Sequence, residues 1–138
     1  MKITLETTDS LQHYTAKNED GKSIQLSGDG TAAGPMQAVL MALAGCSTID
    51  IVMILERMRQ DVSDIKVEVE GTRREEIPRI YTDIHLHYKV FGNVKEKKVQ
   101  QALDLSLEKY CSVSKMLEKT AKITGSFEVI NEKEDNQV

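Results

Sequence analysis

The two cysteines of this 138-residue chain, Cys46 and Cys111, are the side chains best suited to chemistry. Cys46 lies beside Gly45, Ser47 and Thr48, a small polar patch in an otherwise apolar stretch. Cys111 lies at a predicted helix start, where the helix dipole and free N–H groups favour the nucleophilic thiolate. Two widely separated cysteines do not predict a disulfide scaffold. Three interpretations remain open: buried bystanders, the commonest case, a redox pair, or half of a metal site.

Asp50 is a third candidate, because it lies four positions after Cys46 and therefore on the same face of a helix. A carboxylate there could orient a cation, but it would also raise the pKa of the thiol. Because buried charges are usually paired, we interpret Asp50 as a buried acid with a structural partner, in this chain or in a second copy.

His85 and His87 form a His-x-His pair on one face of a predicted strand. Together with the cysteines they match the ligand types that zinc prefers. The same face carries Asp83 and Lys89, which indicates a solvated surface, and no close-spaced pair of cysteines accompanies the histidines. We therefore predict that no metal ion binds there.

Length and charge limit the class of protein. The length predicts one domain over residues 1–138, with a polar tail at 131–138 that frays. The net charge of −4 argues against nucleic-acid binding, which needs a basic face. The first residues contain no apolar run and no small-residue cleavage site. We therefore predict no signal peptide and a cytoplasmic location.

The apolar stretch 34–60 predicts a long helix, with Pro35 in its first turn. A helix that is apolar nearly all round is buried. Its length would also suit a membrane span, but polar residues cluster in its middle and Glu56 and Arg57 follow directly. We predict a central core helix and no membrane association. Because the short strands and few aromatic residues cannot cover every side of this helix, we also predict a homodimer.

The remaining segments predict an α+β fold of order βββ-α-ββ-αα-β, with antiparallel sheets wrapped around the central helix. Apolar and polar residues alternate in the predicted strands. These strands are 1–8, 11–17, 23–27, 65–70, 78–90 and 121–130. Two shorter helices follow the fifth strand, one ending near residue 110 and one ending near residue 119.

Some details of this prediction depend on local signals alone. The charged segment 71–76 predicts a loop, and strand alternation places Tyr81 on the polar face. Asn93 and Glu96 resemble a capping box at the start of the second helix. Ser112 has the side chain of a helix cap for the third helix.

Two segments resemble the OsmC/Ohr family, the osmotically induced and organic-hydroperoxide-resistance proteins. The first is Gly-Pro-Met-Gln at 34–37 leading into Ala-Leu-Ala-Gly-Cys at 42–46. The second is Tyr-Cys-Ser-Val-Ser-Lys at 110–115, followed by the closing strand. The resemblance extends over nearly the whole chain. It implies an intertwined homodimer with paired central helices and an active site at the dimer interface.

The resemblance also implies thiol peroxidase chemistry, in which Cys46 is the peroxidatic cysteine and Cys111 the resolving one. Cys46 would attack the O–O bond of an organic hydroperoxide and become a sulfenic acid. Cys111 would condense with it to a disulfide, which a dithiol reductant, including a lipoyl-type one, reopens by exchange. This chemistry needs no metal and no bound cofactor.

The sequence departs from the family pattern in the groups around the reactive thiolate. The family has an arginine from the N-terminal sheet and a glutamate directly after the proline. Here the first arginine is Arg57, and the glutamate position holds Met36, followed by Gln37. This indicates a divergent branch, with a replacement cation or with a non-catalytic redox or ligand-binding role for the dimer. The candidate cations are Arg73, Arg74, Arg79 and Lys115.

Overall fold

The computed structural model describes residues 1–131, so all but the first residue of the tail predicted at 131–138 lies outside the described residues. The strands are β1 Thr4–Thr7, β2 His13–Lys17, β3 Ser23–Ser27, β4 Asp61–Arg73, β5 Tyr81–Asn93 and β6 Lys122–Ile130. The helices are α1 Pro35–Arg57, α2 Glu96–Leu105 and α3 Ser112–Leu117, with a π-helical segment Ser106–Tyr110 between the last two. This order confirms the predicted α+β fold.

The chain forms two compact units, Met1–Met41 and the segment that begins at Ala42. The first unit contains the antiparallel sheet β1-β2-β3. The turn between β2 and β3 contains Gly21 at φ 82°, a left-handed conformation that glycine adopts without steric cost. The three strands predicted in this unit are confirmed, whereas the prediction of one domain over residues 1–138 stays a prediction.

The second unit contains the sheet β4-β5-β6. Strands β4 and β5 pair antiparallel along their length, but β6 pairs parallel to β5, which the prediction of antiparallel sheets did not include. A parallel pair requires a crossover connection. Here α2, the π-helical segment and α3 form the connection between β5 and β6. These helical segments therefore lie over the sheet.

The core of the second unit lies between one face of this sheet and the helices, because alternate strand residues point to the same side. Helix α1 is long and apolar enough to cross a membrane by length and composition, as core helices of soluble proteins also are. Between Leu43 and Leu55, one side of α1 contributes buried residues to this core. The buried apolar side chains are Leu43, Ile51, Leu55, Ile84, Leu86, Tyr88, Val90, Val99, Ala102 and Leu103.

Pairing between β4 and β5 overrides two local predictions. Gly71 and Thr72 pair with β5, so the segment predicted as a loop at 71–76 is partly strand. The register shifts between Thr72 and Arg73, and this irregularity places Tyr81 on the buried side, with 6% of its surface exposed. The prediction that Tyr81 faces solvent was therefore wrong.

The predicted helix caps were also wrong. Asn93 is the last residue of β5, and α2 is preceded by Lys95, whose side chain makes no capping hydrogen bond. Helix α3 begins at Ser112, but the cap is Cys111, whose sulfur accepts a hydrogen bond from the Ser114 N–H. Small polar residues favour helix caps, but the end of β5 and the π-helical segment decide which residues precede α2 and α3.

Candidate active site

One turn of α1 presents the first half of the site. Cys46 is half-buried, Ser47 is fully buried, and Asp50 follows Cys46 by four residues, which is about one helical turn. Because this turn lies in the middle of a long helix, its side chains have a rigid backbone. The same-face prediction for Cys46 and Asp50 agrees with this helix.

Cys111 occupies the junction between the π-helical segment and α3, and none of its surface is exposed. Its backbone N–H donates to the Ser106 carbonyl at 2.7 Å. Its Sγ accepts from the Ser114 N–H at 3.4 Å. Single π-helical turns inside helices are frequent at functional sites. The sequence predicted a regular helix to near residue 110, so the π-helical geometry of its last turn is a structural finding.

The fold brings the two halves together. The Sγ atoms of Cys46 and Cys111 and a carboxylate oxygen of Asp50 all lie within 4.8 Å of one another. Both cysteines are free thiols in this structure. The arrangement places two oxidisable sulfurs and one proton-accepting group in a single cluster, the thiol site.

Hydroxyl groups that the sequence analysis did not select hold this thiol site. The Tyr88 hydroxyl lies 2.5 Å from the Ser47 Oγ. The Ser106 hydroxyl lies 3.2 Å from the Ser47 carbonyl and 3.4 Å from the Asp50 Oδ2, two acceptors for its proton. A tyrosine on an apolar strand face is a usable signal, because a buried phenol needs a hydrogen-bond partner. Ser106 carried no comparable signal.

Burial raises the pKa of the Cys111 thiol to about 11, and the neighbouring Cys46 and Asp50 groups add to this rise. The Ser114 N–H acts in the opposite direction. Burial likewise raises the pKa of Tyr88 to about 12, against the effect of its hydrogen bond to Ser47. The N–H group at this helix start therefore favours the thiolate, as expected, but desolvation of Cys111 outweighs it.

Cys111 is more deeply buried than Cys46, and this difference predicts that the two thiols of the reduced protein are alkylated one after the other. Between pH 7 and about 9, iodoacetamide should modify Cys46 first, because Cys111 is fully buried and mostly protonated below its pKa of about 11. Modification of Cys111 should accelerate as the pH approaches that value. Peptide mass spectrometry after timed quenching measures both sites, and faster labelling of Cys111 at pH 8 would contradict the assignment.

Two thiols and a carboxylate are ligand types that bind zinc, and Cys46, Asp50 and Cys111 form the one such cluster within residues 1–131. The histidines are not part of it. His85 pairs with hydroxyls of neighbouring β6 residues at 2.6 and 2.9 Å, and His87 with one at 2.7 Å. Within residues 1–131, the histidine pair and the two cysteines therefore do not share one cluster of possible ligands.

The candidate replacement cations have partners elsewhere. The loop arginines Arg73, Arg74 and Arg79 each donate their Nε–H to a backbone carbonyl of the same loop, at 2.7, 2.8 and 3.1 Å. Lys115 pairs with Glu118 at 3.3 Å. Within the described chain, these contacts bind the four cations to their own loop or helix.

A cavity of about 420 Å³ lies elsewhere in the second unit, and its walls come from α2, the π-helical segment, α3 and β6. Neither cysteine lines it. The thiol site is therefore selected by its chemistry and not by the size of an opening.

Comparison with known proteins identifies the family. Residues 28–126 match the family model described as OsmC-like protein, and the chain belongs to this family. Protein YhfA of Escherichia coli strain K12 is 48% identical over 120 residues, which cover 85% of this chain and 90% of that protein. The resemblance found in the sequence is confirmed.

Solved structures agree with this assignment. A hypothetical protein from Aquifex aeolicus VF5 has a TM-score of 0.86 at 37% identity, covering 94% of this chain and 96% of that one. The organic hydroperoxide resistance protein OhrB of Bacillus subtilis has a TM-score of 0.67 at 13% identity, covering 92% and 96%. The second similarity establishes the shared fold only.

Proposed function

We propose that this protein is a thiol-dependent peroxidase that reduces organic hydroperoxides. The observation that supports this most strongly is the proximity of two free thiols, Cys46 and Cys111, within 4.8 Å and beside a carboxylate. Membership of the OsmC-like family supports it too, since structural relatives include proteins named for organic hydroperoxide resistance.

The different burial of the two cysteines supports a division of roles between them. Cys46 is half-buried and reachable, so its thiolate attacks the hydroperoxide oxygen, the O–O bond breaks, and the alcohol leaves after protonation. Cys111 is fully buried and acts second. It attacks the Cys46 sulfenic acid, and a disulfide and water form. A dithiol reductant, including one of the lipoyl type, then restores both thiols by exchange.

We further propose that the working form is a cytoplasmic homodimer. The sequence predicted a helix buried all round, yet Ile49 and Met53 on α1 are 67% and 42% exposed. Gly45 lies one turn before Ile49, and a Cβ atom there would meet nothing within 4 Å. A contiguous exposed apolar stripe marks an interaction site. A second copy of the same stripe is the occupant, and a reducing cytoplasm keeps both thiols free.

A second candidate function is a non-catalytic redox or small-ligand-binding dimer. The observation that favours it is the engagement of Arg73, Arg74, Arg79 and Lys115 by their own neighbours. A thiolate without a nearby cation is less stabilised. This candidate predicts a disulfide that forms slowly and without turnover. An inert structural dimer would instead leave both thiols unmodified.

The test is exposure of the reduced protein to one equivalent of cumene hydroperoxide, with hydrogen peroxide in parallel. We expect rapid loss of both thiols by thiol counting and intact mass, with a Cys46–Cys111 crosslink in the peptide map. The organic hydroperoxide should react faster. Survival of two free thiols through a long exposure would reject the peroxidase and favour the ligand-binding or structural dimer.

A further inference from the structure

We infer that Asp50 is the proton carrier of disulfide formation, taking the proton of the Cys111 thiol and delivering it to the oxygen that leaves Cys46. This inference rests on the proposed peroxidase function. It assigns a catalytic role to a carboxylate that the sequence alone suggested was structural.

The geometry places the carboxylate close to both reacting groups. An oxygen of Asp50 lies within 4.8 Å of the Cys46 sulfur and of the Cys111 sulfur. The side chain stands on the rigid middle of α1, and the fully buried Ser106 hydroxyl lies 3.4 Å from its Oδ2. A single group can therefore exchange a proton with one sulfur and then with an atom bound to the other.

Disulfide formation requires a group that takes the proton of the Cys111 thiol and a group that gives a proton to the oxygen leaving Cys46. Cys111 is buried and remains a thiol at neutral pH, whereas only a thiolate attacks efficiently. The leaving oxygen of a sulfenic acid departs as hydroxide unless a proton reaches it. General acid–base catalysis by one positioned side chain meets both requirements.

The step balances in atoms and electrons. The Cys111 S–H bond breaks, its proton passes to the Asp50 carboxylate, and its electron pair forms the S–S bond to Cys46. The Cys46 S–O bond breaks, and the departing oxygen takes the proton from Asp50 and leaves as water. Asp50 returns to the carboxylate, so no oxidant beyond the hydroperoxide is consumed.

The other polar groups packed around the thiol site are less suited to this task. The Tyr88 phenol, from β5, has a pKa raised to about 12, and it already pairs with Ser47. Ser47 and Ser106 are hydroxyls that do not accept a thiol proton near neutral pH. Coulomb repulsion makes a carboxylate unfavourable beside a thiolate, so a role in proton transfer suits this position better than thiolate stabilisation.

The first measurement compares wild type with Asp50→Asn in single turnovers with cumene hydroperoxide. The variant should oxidise Cys46 at nearly the wild-type rate, while disulfide formation slows by about 100-fold. Its sulfenic acid should accumulate and become trappable by dimedone. In Asp50→Ala, which leaves space for a small carboxylic acid, added formate should restore part of the rate, which a purely structural role would not allow. Asp104→Asn, which removes the same charge from an exposed position on α2, should change neither rate.

The second measurement does not depend on hydroperoxide. Cys46 is converted to its mixed disulfide with thionitrobenzoate, and attack by Cys111 then releases the coloured thiol. This release should slow at least about tenfold in Asp50→Asn, because it requires removal of the Cys111 proton. Release at the wild-type rate would overturn the inference. If the slowing occurs but wild type forms no sulfenic acid with hydroperoxide, the peroxidase proposal fails and the role of Asp50 as a base for Cys111 is retained.

Discussion

Replacement of Cys46 by serine should abolish hydroperoxide turnover, with a rate at least about 1,000-fold below that of wild type. A thiolate supplies the electron pair that breaks the O–O bond, and a serine hydroxyl is neither ionised near neutral pH nor comparably nucleophilic. The measurement is a coupled assay with a dithiol reductant and cumene hydroperoxide. Full activity in this variant would eliminate Cys46 as the peroxidatic residue.

Cys111→Ser is the matched control for this prediction. It leaves Cys46 and its position on α1 unchanged but removes the resolving sulfur. The first oxidation should therefore proceed, and the product should stop at a Cys46 sulfenic acid that dimedone traps and that further hydroperoxide oxidises to the sulfinic acid. The two variants separate loss of the nucleophile from loss of the second step. An identical absence of reaction in both would point instead to damage of the thiol site as a whole.

Replacement of Ile49 by aspartate should convert the proposed homodimer to a monomer. Ile49 lies on the exposed apolar stripe of α1, with 67% of its surface accessible in the single chain. A charge placed in an interface formed by two copies of this stripe is desolvated without a partner, at a cost of several kcal/mol per ion. Both copies carry the charge, and like charges repel. Light scattering coupled to gel filtration measures the mass at several concentrations.

Ile49→Ala is the control for this substitution, because it shortens the same side chain without introducing a charge. This variant should remain mostly dimeric and lose only part of the buried apolar area. A wild-type protein that is already monomeric would exclude the homodimer proposal. A dimer unaffected by aspartate would place its interface on another surface.

Elements whose signals are local were predictable from the sequence. Pro35 begins α1 and Ser23–Ser27 forms β3 as predicted, because helix-start chemistry and apolar alternation act over a few residues. The extension of β4 to Arg73 was not predictable, since the charged residues near its end become strand only by pairing with β5. The burial of Tyr81 depends on a register irregularity that neither strand shows by itself.

For the site, the sequence determined which residue types are present and where each lies in its own element. Cys46 and Cys111 were identified from type, spacing and motif, whereas Asp50 was interpreted as a structural acid. Only the tertiary structure decided that their reactive atoms lie within 4.8 Å and that burial keeps Cys111 protonated. The physical reason is that proximity and desolvation depend on long-range packing, here a parallel strand pair and its helical crossover, whereas residue spacing reports only on contacts within one element.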